Sequence, residues 1–177
     1  MIYRLERNGQ LESLHKSASN AESSDIASRS KPPEKGLGSK RLMLPATIPK
    51  LHVLIVDDVH TCRKMLSRLL SPENVITEEA KDGVEAVNMV KTSEQKGFRY
   101  DLILMDASMP KMTGLEATKI IREMGFKGKI FGVTGNALAE DVNDFLNHGA
   151  DAVHIKPVSK EQLSSMLEGI FNTNSNA

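Results

Sequence analysis

The chain has 177 residues, 40% of them hydrophobic and 26% charged, with a formal net charge of zero; this composition excludes a low-complexity or disulfide-stapled chain and fits one domain with a tail. The zero hides an asymmetry, because residues 1–50 carry nine Lys/Arg against five Asp/Glu (+4) and residues 51–177 carry fourteen against eighteen (−4). Neither charge argues for nucleic acid or a membrane surface as a partner, and the single cysteine, Cys62, excludes an intramolecular disulfide and fits a reducing cytoplasm.

Ile2-Tyr3-Arg4-Leu5 alternates as a strand of an upstream domain would, and MIYRLERNGQLES contains no apolar core of signal-peptide length. Residues 17–41, SASNAESSDIASRSKPPEKGLGSKR, are dominated by Ser, Lys, Pro and Gly and contain no aromatic residue. Such a stretch buries too little apolar area to offset chain entropy, so its basic end reads as a solvated linker rather than a nuclear address. Residues 1–50 are accordingly predicted to be a disordered basic tail.

The pattern changes at Leu51. HVLIV, VITEEA, DLILM, KIFGV and AVHI are short runs suited to strands, with VITEEA alternating least clearly, as an edge strand does. None is long enough to cross a bilayer. Between them, apolar residues recur at helical spacing: Met65, Leu66, Leu69 and Leu70; Leu115, Ile120 and Ile121; Val142, Phe145 and Leu146. Asp82-Gly83 opens a helix over 84–91, and Gly149 closes the one that holds Phe145. Five strand–helix units over about 125 residues predict a doubly wound parallel sheet covered on both faces. A domain of 51–172 buries roughly two-thirds of its unfolded surface, leaving 173–177 as a disordered C-terminus.

In an open α/β sheet, ligands sit beyond the carboxyl ends of the strands. Those ends read Val56-Asp57-Asp58, Met105-Asp106, Val133-Thr134-Gly135 and Ile155-Lys156-Pro157. Three carboxylates, a hydroxyl and an ammonium would therefore share one rim. Clustered carboxylates resist ionisation unless a cation sits among them, and Mg²⁺, a hard ion that keeps waters and phosphate oxygens in its shell, suits such a group. A carboxylate can also attack a phosphoryl group to form an acyl phosphate, which marks Asp106 as the candidate acceptor. Singly, each residue is better explained as a solvated turn, a helix cap or a surface lysine; it is the ordered set at one end of the sheet that points to chemistry. His60, beside the acid pair, is a surface residue of a first helical turn, and Cys62 has no activating neighbour.

From Leu51 to about Phe171 the chain resembles the receiver domain of two-component response regulators, most of all receivers attached to hybrid histidine kinases. The resemblance runs through VLIVDD (53–58), AKDGVEA (80–86), DLILMDASMPKMTG (101–114), GVTGNAL (132–138) and GADAVHIKPV (149–158). It implies a flavodoxin-like (βα)5 fold of strand order 2-1-3-4-5 and a cis bond between Lys156 and Pro157. It also implies a phosphoprotein that carries a 4-aspartylphosphate at Asp106, with Thr134 as the switching hydroxyl and Lys156 as the lysine. Mg²⁺ would be held by Asp57, Asp58, Asp106 and the backbone carbonyl of Ser108. The partner implied is a histidine kinase or a histidine-containing phosphotransfer protein, and the domain would catalyse only its own phosphoryl transfer and dephosphorylation.

The sequence departs from the family pattern at Val59, at Cys62 and, with more consequence, at Val153, where many receivers carry a switching aromatic residue. That predicts a muted conformational output and a domain suited to relaying phosphoryl groups. An aspartate-nucleophile phosphatase would need a second acid where Ser108 stands, and a docking module without phosphorylation tends to lose acids that this chain keeps.

Overall fold

The computed structural model describes residues 2–5, 11–13, 50–136 and 138–174. Seven strands form one sheet: β1 (Ile2–Leu5), β2 (Leu11–Ser13), β3 (Leu51–Val56), β4 (Val75–Ala80), β5 (Leu102–Asp106), β6 (Lys129–Thr134) and β7 (Ala152–Ile155). The helices are α1 (His60–Leu70), α2 (Gly83–Ser93), α3 (Gly114–Glu123), α4 (Ala139–Asn147) and α5 (Lys160–Asn174), and a 3-10 turn follows α2 at Glu94–Lys96.

Across the sheet the order is β2-β1-β7-β6-β5-β3-β4. The last five strands pair in parallel, and numbered among themselves they have the order 2-1-3-4-5 that the resemblance implies. Strand periodicity divides the core in two. Leu51, Val53 and Ile55 of β3, with Leu102 and Leu104 of β5, pack under Leu66 and Leu70 of α1 and Leu163, Met166, Leu167 and Ile170 of α5. Leu54, Val56, Ile103 and Met105 face the other way, against α2, α3 and α4 through Ala86, Val90, Ala117, Ile121, Val142 and Phe145. Alternate residues point to opposite faces, so a strand buried on both sides is apolar throughout. β5 is buried at all five positions. β4 is the outermost parallel strand and is only partly buried, which accounts for the charges in VITEEA.

Two details at the chain ends add to the expected architecture. Within the predicted tail, β1 pairs antiparallel with β2, and also with β7 through Ile2↔His154 and Tyr3↔Val153. The alternation of Ile2–Leu5 belongs to this sheet and covers the backbone edge of β7, which would otherwise be left unpaired. The linker expected at 17–41 lies outside the described residues. At the other end, α5 runs to Asn174, past the expected boundary at 172, because the apolar spacing of Leu163, Met166, Leu167 and Ile170 carries the helix on. Residues 175–177 are likewise outside the description.

Local signals place the remaining ends. Asp82 caps α2 by accepting the Glu85 N–H, and α2 extends one residue before and two beyond the predicted 84–91. Thr113 and Glu116 form a reciprocal capping box on α3. Gly149 has φ of 104° just past the end of α4, a left-handed position that glycine adopts without steric cost. Met65 departs from its predicted stripe and is 45% exposed, while Leu66 and Leu70 carry the buried face of α1.

Candidate functional site

The parallel strands deliver their last residues to one rim and are tied together there. The Asp57 N–H donates to the Ala80 carbonyl, the Ala107 N–H to Val133, and the Lys156 N–H to Thr134. The register sets Asp106 opposite Val133 and Thr134 opposite Ile155. Behind the rim, α3 approaches so closely that a Cβ on Gly114 would collide with the Asp106 carbonyl, so only glycine allows this contact.

Asp57, Asp58 and Asp106 converge, each offering a carboxylate oxygen within 4.8 Å of the others. Asp57 is almost wholly buried; its Oδ1 accepts the Val59 N–H at 2.8 Å and its Oδ2 accepts Lys156 Nζ at 2.8 Å. Lys156 Nζ also lies 2.8 Å from Asp106 Oδ1. One ammonium thus bridges two carboxylates while Asp58 stays exposed beside them.

Asp106 is 6% exposed. Burial pushes its carboxyl pKa above the usual value, and the charges of Asp57 and Asp58 push the same way against the pull of Lys156. For Lys156, burial disfavours the charged form, yet its bonds to Asp106 and Asp57 prevail and hold its pKa above the ordinary lysine value. Thr134 is buried at the end of β6, and its hydroxyl accepts the Asn136 N–H at 3.1 Å, which leaves its own proton to donate. Ser108 is exposed on the loop after β5, two residues beyond Asp106. The Lys156–Pro157 bond is cis.

This donor set fits a hard divalent cation. It consists of oxygen ligands, it carries three acids against one lysine, and at least one acid is destabilised as an anion without further positive charge.

Sequence reasoning placed Asp57, Asp58, Asp106 and Lys156 in one cluster, and they are together, with Thr134 on the neighbouring strand end. It assigned no role to two residues that brace the rim. Arg63 reaches from α1 to the carbonyls of Asp57 and Asp58. Lys111, at φ of 68°, pairs with the α2 cap Asp82 at 2.9 Å and ties the loop after Asp106 to α2. A basic residue five or six places after the acid pair is visible in the sequence, but its partners are not.

A parallel sheet whose carboxyl rim gathers three acids and a lysine defines an open α/β domain with an acidic site at its strand ends. Comparison with known proteins carries this to a family. Residues 53–168 match the response regulator receiver domain, and the chain belongs to that family. It is 40% identical over 128 residues to Two-component system protein A of Emericella nidulans, a match that takes in 71% of this chain and 18% of that protein. It is 37% identical over 118 residues to Two-component response regulator 24 of Arabidopsis thaliana, covering 67% of this chain and 82% of that one. Among solved structures, it resembles a chain of the CheX–CheY–BeF3–Mg²⁺ complex of Borrelia burgdorferi, with a TM-score of 0.61, 28% identity, and coverage of 68% of this chain and 89% of that one. The chain therefore spans only about a fifth of the E. nidulans relative. Among the described residues, no helix is long and apolar enough to cross a membrane.

Proposed function

We propose that residues 51–172 are a phosphorelay receiver in which Asp106 accepts a phosphoryl group from a phosphohistidine on a histidine kinase or a histidine-containing phosphotransfer protein. The observation that carries this reading is the buried Asp106 carboxylate, set among Asp57, Asp58 and Lys156 at the end of the third parallel strand. A carboxylate oxygen of Asp106 attacks phosphorus, an acyl phosphate P–O bond forms, and the P–N bond of the donor breaks. The imidazole leaves with the bonding pair and takes up a proton. Lys156 follows the negative charge from the carboxylate to the phosphoryl oxygens, and Thr134, whose hydroxyl proton is free to give, donates to one of them.

Asp57, Asp58, Asp106 and the Ser108 carbonyl would hold Mg²⁺, which supplies positive charge against the transferring oxygens when bound. The similarity to a chain solved in a complex containing BeF3 and Mg²⁺ supports this choice of metal. The domain turns over no separate substrate, and its lone cysteine suits the cytoplasm. Val153 is fully buried, in the same apolar cluster as Phe145, and has no ring to rotate, which favours relay to a histidine-bearing partner over a large surface switch.

The test is intact-mass spectrometry after exposure to a small phosphodonor with Mg²⁺. One added phosphoryl group is expected, absent without Mg²⁺ and absent in Asp106→Asn. Equal labelling of that variant would overturn the assignment, and an unlabelled wild-type chain would favour a docking module.

A further inference from the structure

The acid pair sits where the backbone leaves the sheet. The Asp57 N–H makes a sheet bond to Ala80, after which residues 57–59 leave the strand and α1 starts at His60. The residue before that helix is Val59, which offers no side-chain cap, so the usual Ser, Thr or Asp brace is missing. The loop's own tie is the Asp57 Oδ1 bond to the Val59 N–H, and it uses the very carboxylate that a metal would need. The carbonyls of Asp57 and Asp58 also fall between the end of β3 and the start of α1.

Arg63 reaches both carbonyls. Its Nη1 donates to the Asp57 carbonyl at 2.6 Å and to the Asp58 carbonyl at 3.2 Å. Its Nη2 lies 3.3 Å from His60 Nδ1, and its Nε lies 3.4 Å from Glu79 Oε2 on β4. The side chain is only 12% exposed, so this is a packed guanidinium and not a surface charge. Glu79 is held in turn by Lys64 at 2.8 Å, and one helical turn on, Ser67 Oγ and Thr77 Oγ1 meet at 3.0 Å. The planar guanidinium thus spans from the edge strand to the acid-pair backbone, a reach that a point-charge ammonium does not reproduce.

We propose that Arg63 is a positioning residue: braced on Glu79, it holds the Asp57 and Asp58 backbone so that their carboxylates are preset for the cation. The inference rests on the Mg²⁺ reading of the site. It separates from a plain α1–β4 weld, which would affect stability and leave the loop and the metal untouched.

The test uses the full chain and compares wild type with Arg63→Gln, Arg63→Lys, Glu79→Gln, Lys64→Gln and the Arg63→Gln/Glu79→Gln double variant. Mg²⁺ affinity is measured by isothermal titration calorimetry, and exchange of the Val59 amide is followed in metal-free protein. Loss of an outer-shell partner commonly costs about 10–100-fold in metal affinity, so Arg63→Gln is expected to weaken Mg²⁺ binding about tenfold and to speed Val59 exchange. Arg63→Lys should recover part of each, Glu79→Gln should show a smaller loss, and the double variant should be no worse than Arg63→Gln. Lys64→Gln, which removes the other partner of Glu79, should leave both readings unchanged. Wild-type affinity and exchange in Arg63→Gln, full recovery in Arg63→Lys, or additive losses in the double variant would each overturn the proposal. If Arg63→Gln does not fold, Glu79→Gln decides, and an unaltered affinity there overturns it. A wild-type chain that takes up no Mg²⁺ would sink the metal reading, while the Val59 exchange still reports on the brace.

Discussion

At the amino end of the parallel strands, acids and bases are matched one to another; at the carboxyl end they are not. Asp151, just before β7, accepts from Arg122 at 2.5 Å, from Lys129 at 2.8 Å and from the Ile130 N–H at 2.9 Å. Arg122 also donates to the carbonyls of Phe126, Gly128 and Gly149. Asp101, before β5, takes the His52 N–H at 2.8 Å, and its backbone bonds to both neighbouring strands. At the opposite rim three carboxylates meet a single lysine, Lys156 bridging only Asp57 and Asp106, and burial holds Asp106 above its usual pKa. The same residue types seal the sheet where Asp101 and Asp151 find donors, and where one sign is in excess they leave the acidic site proposed to take a cation and a phosphoryl group. The functional rim therefore departs from local electrostatic satisfaction, and the rest of the sheet has to carry that cost.

The comparison can be broken most forcefully at the sealed end. Arg122→Gln leaves three carbonyls and Asp151 short of a donor, and is expected to cost about 3 kcal/mol, as loss of one member of a partly buried network does. Urea denaturation would measure it, and Mg²⁺ binding at the far rim should stay at its wild-type value. A matching loss of Mg²⁺ affinity would show that the two ends are not independent.

A second effect comes from His154, between the two rims on β7. Its Nδ1 is buried without a partner among the described residues, beside the Phe131 ring. Burial is the main cause that lowers its pKa from 6.5 to about 4. Across that window the unfolded chain binds a proton that the folded chain refuses. The stability His154 contributes is therefore full above the unfolded pKa and is lost as pH falls through 6.5 toward 4, by about 3 kcal/mol. His154→Leu should flatten that limb of the stability–pH curve. Asp106 works with the opposite sign: with a raised folded pKa, it penalises the fold as pH rises through that value, so Asp106→Asn should steepen the net acid loss. Chemical denaturation at several pH values resolves the two.

The smallest effect sharpens the contrast by its sign. Asp58→Asn removes one of three repelling charges at an exposed position, and the metal-free protein should gain stability, within about 1 kcal/mol. The same variant should lose most of the rise in melting temperature that Mg²⁺ gives the wild type. A metal-free destabilisation would show that Asp58 serves the fold.

The sequence by itself determined the parallel strands, the faces of the helices and the membership of the carboxyl rim. These depend on short-range periodicity and on which residue ends each strand: VLIV (53–56) and LILM (102–105) are apolar throughout because both faces are covered, and Asp57, Asp106, Thr134 and Lys156 each stand at a strand end or directly after one. What packs beside a strand end is set by contacts between residues far apart in the chain, and one sequence holds no local trace of them. Only the tertiary structure decided that Ile2–Leu5 lies antiparallel on the edge of β7, that Arg63 joins Glu79 to the acid-pair carbonyls, and that Lys111 closes on Asp82. It also decided which acids are sealed and which are strained, since Asp101, Asp151 and Asp106 look alike in sequence and differ only in the donors that the fold brings within reach.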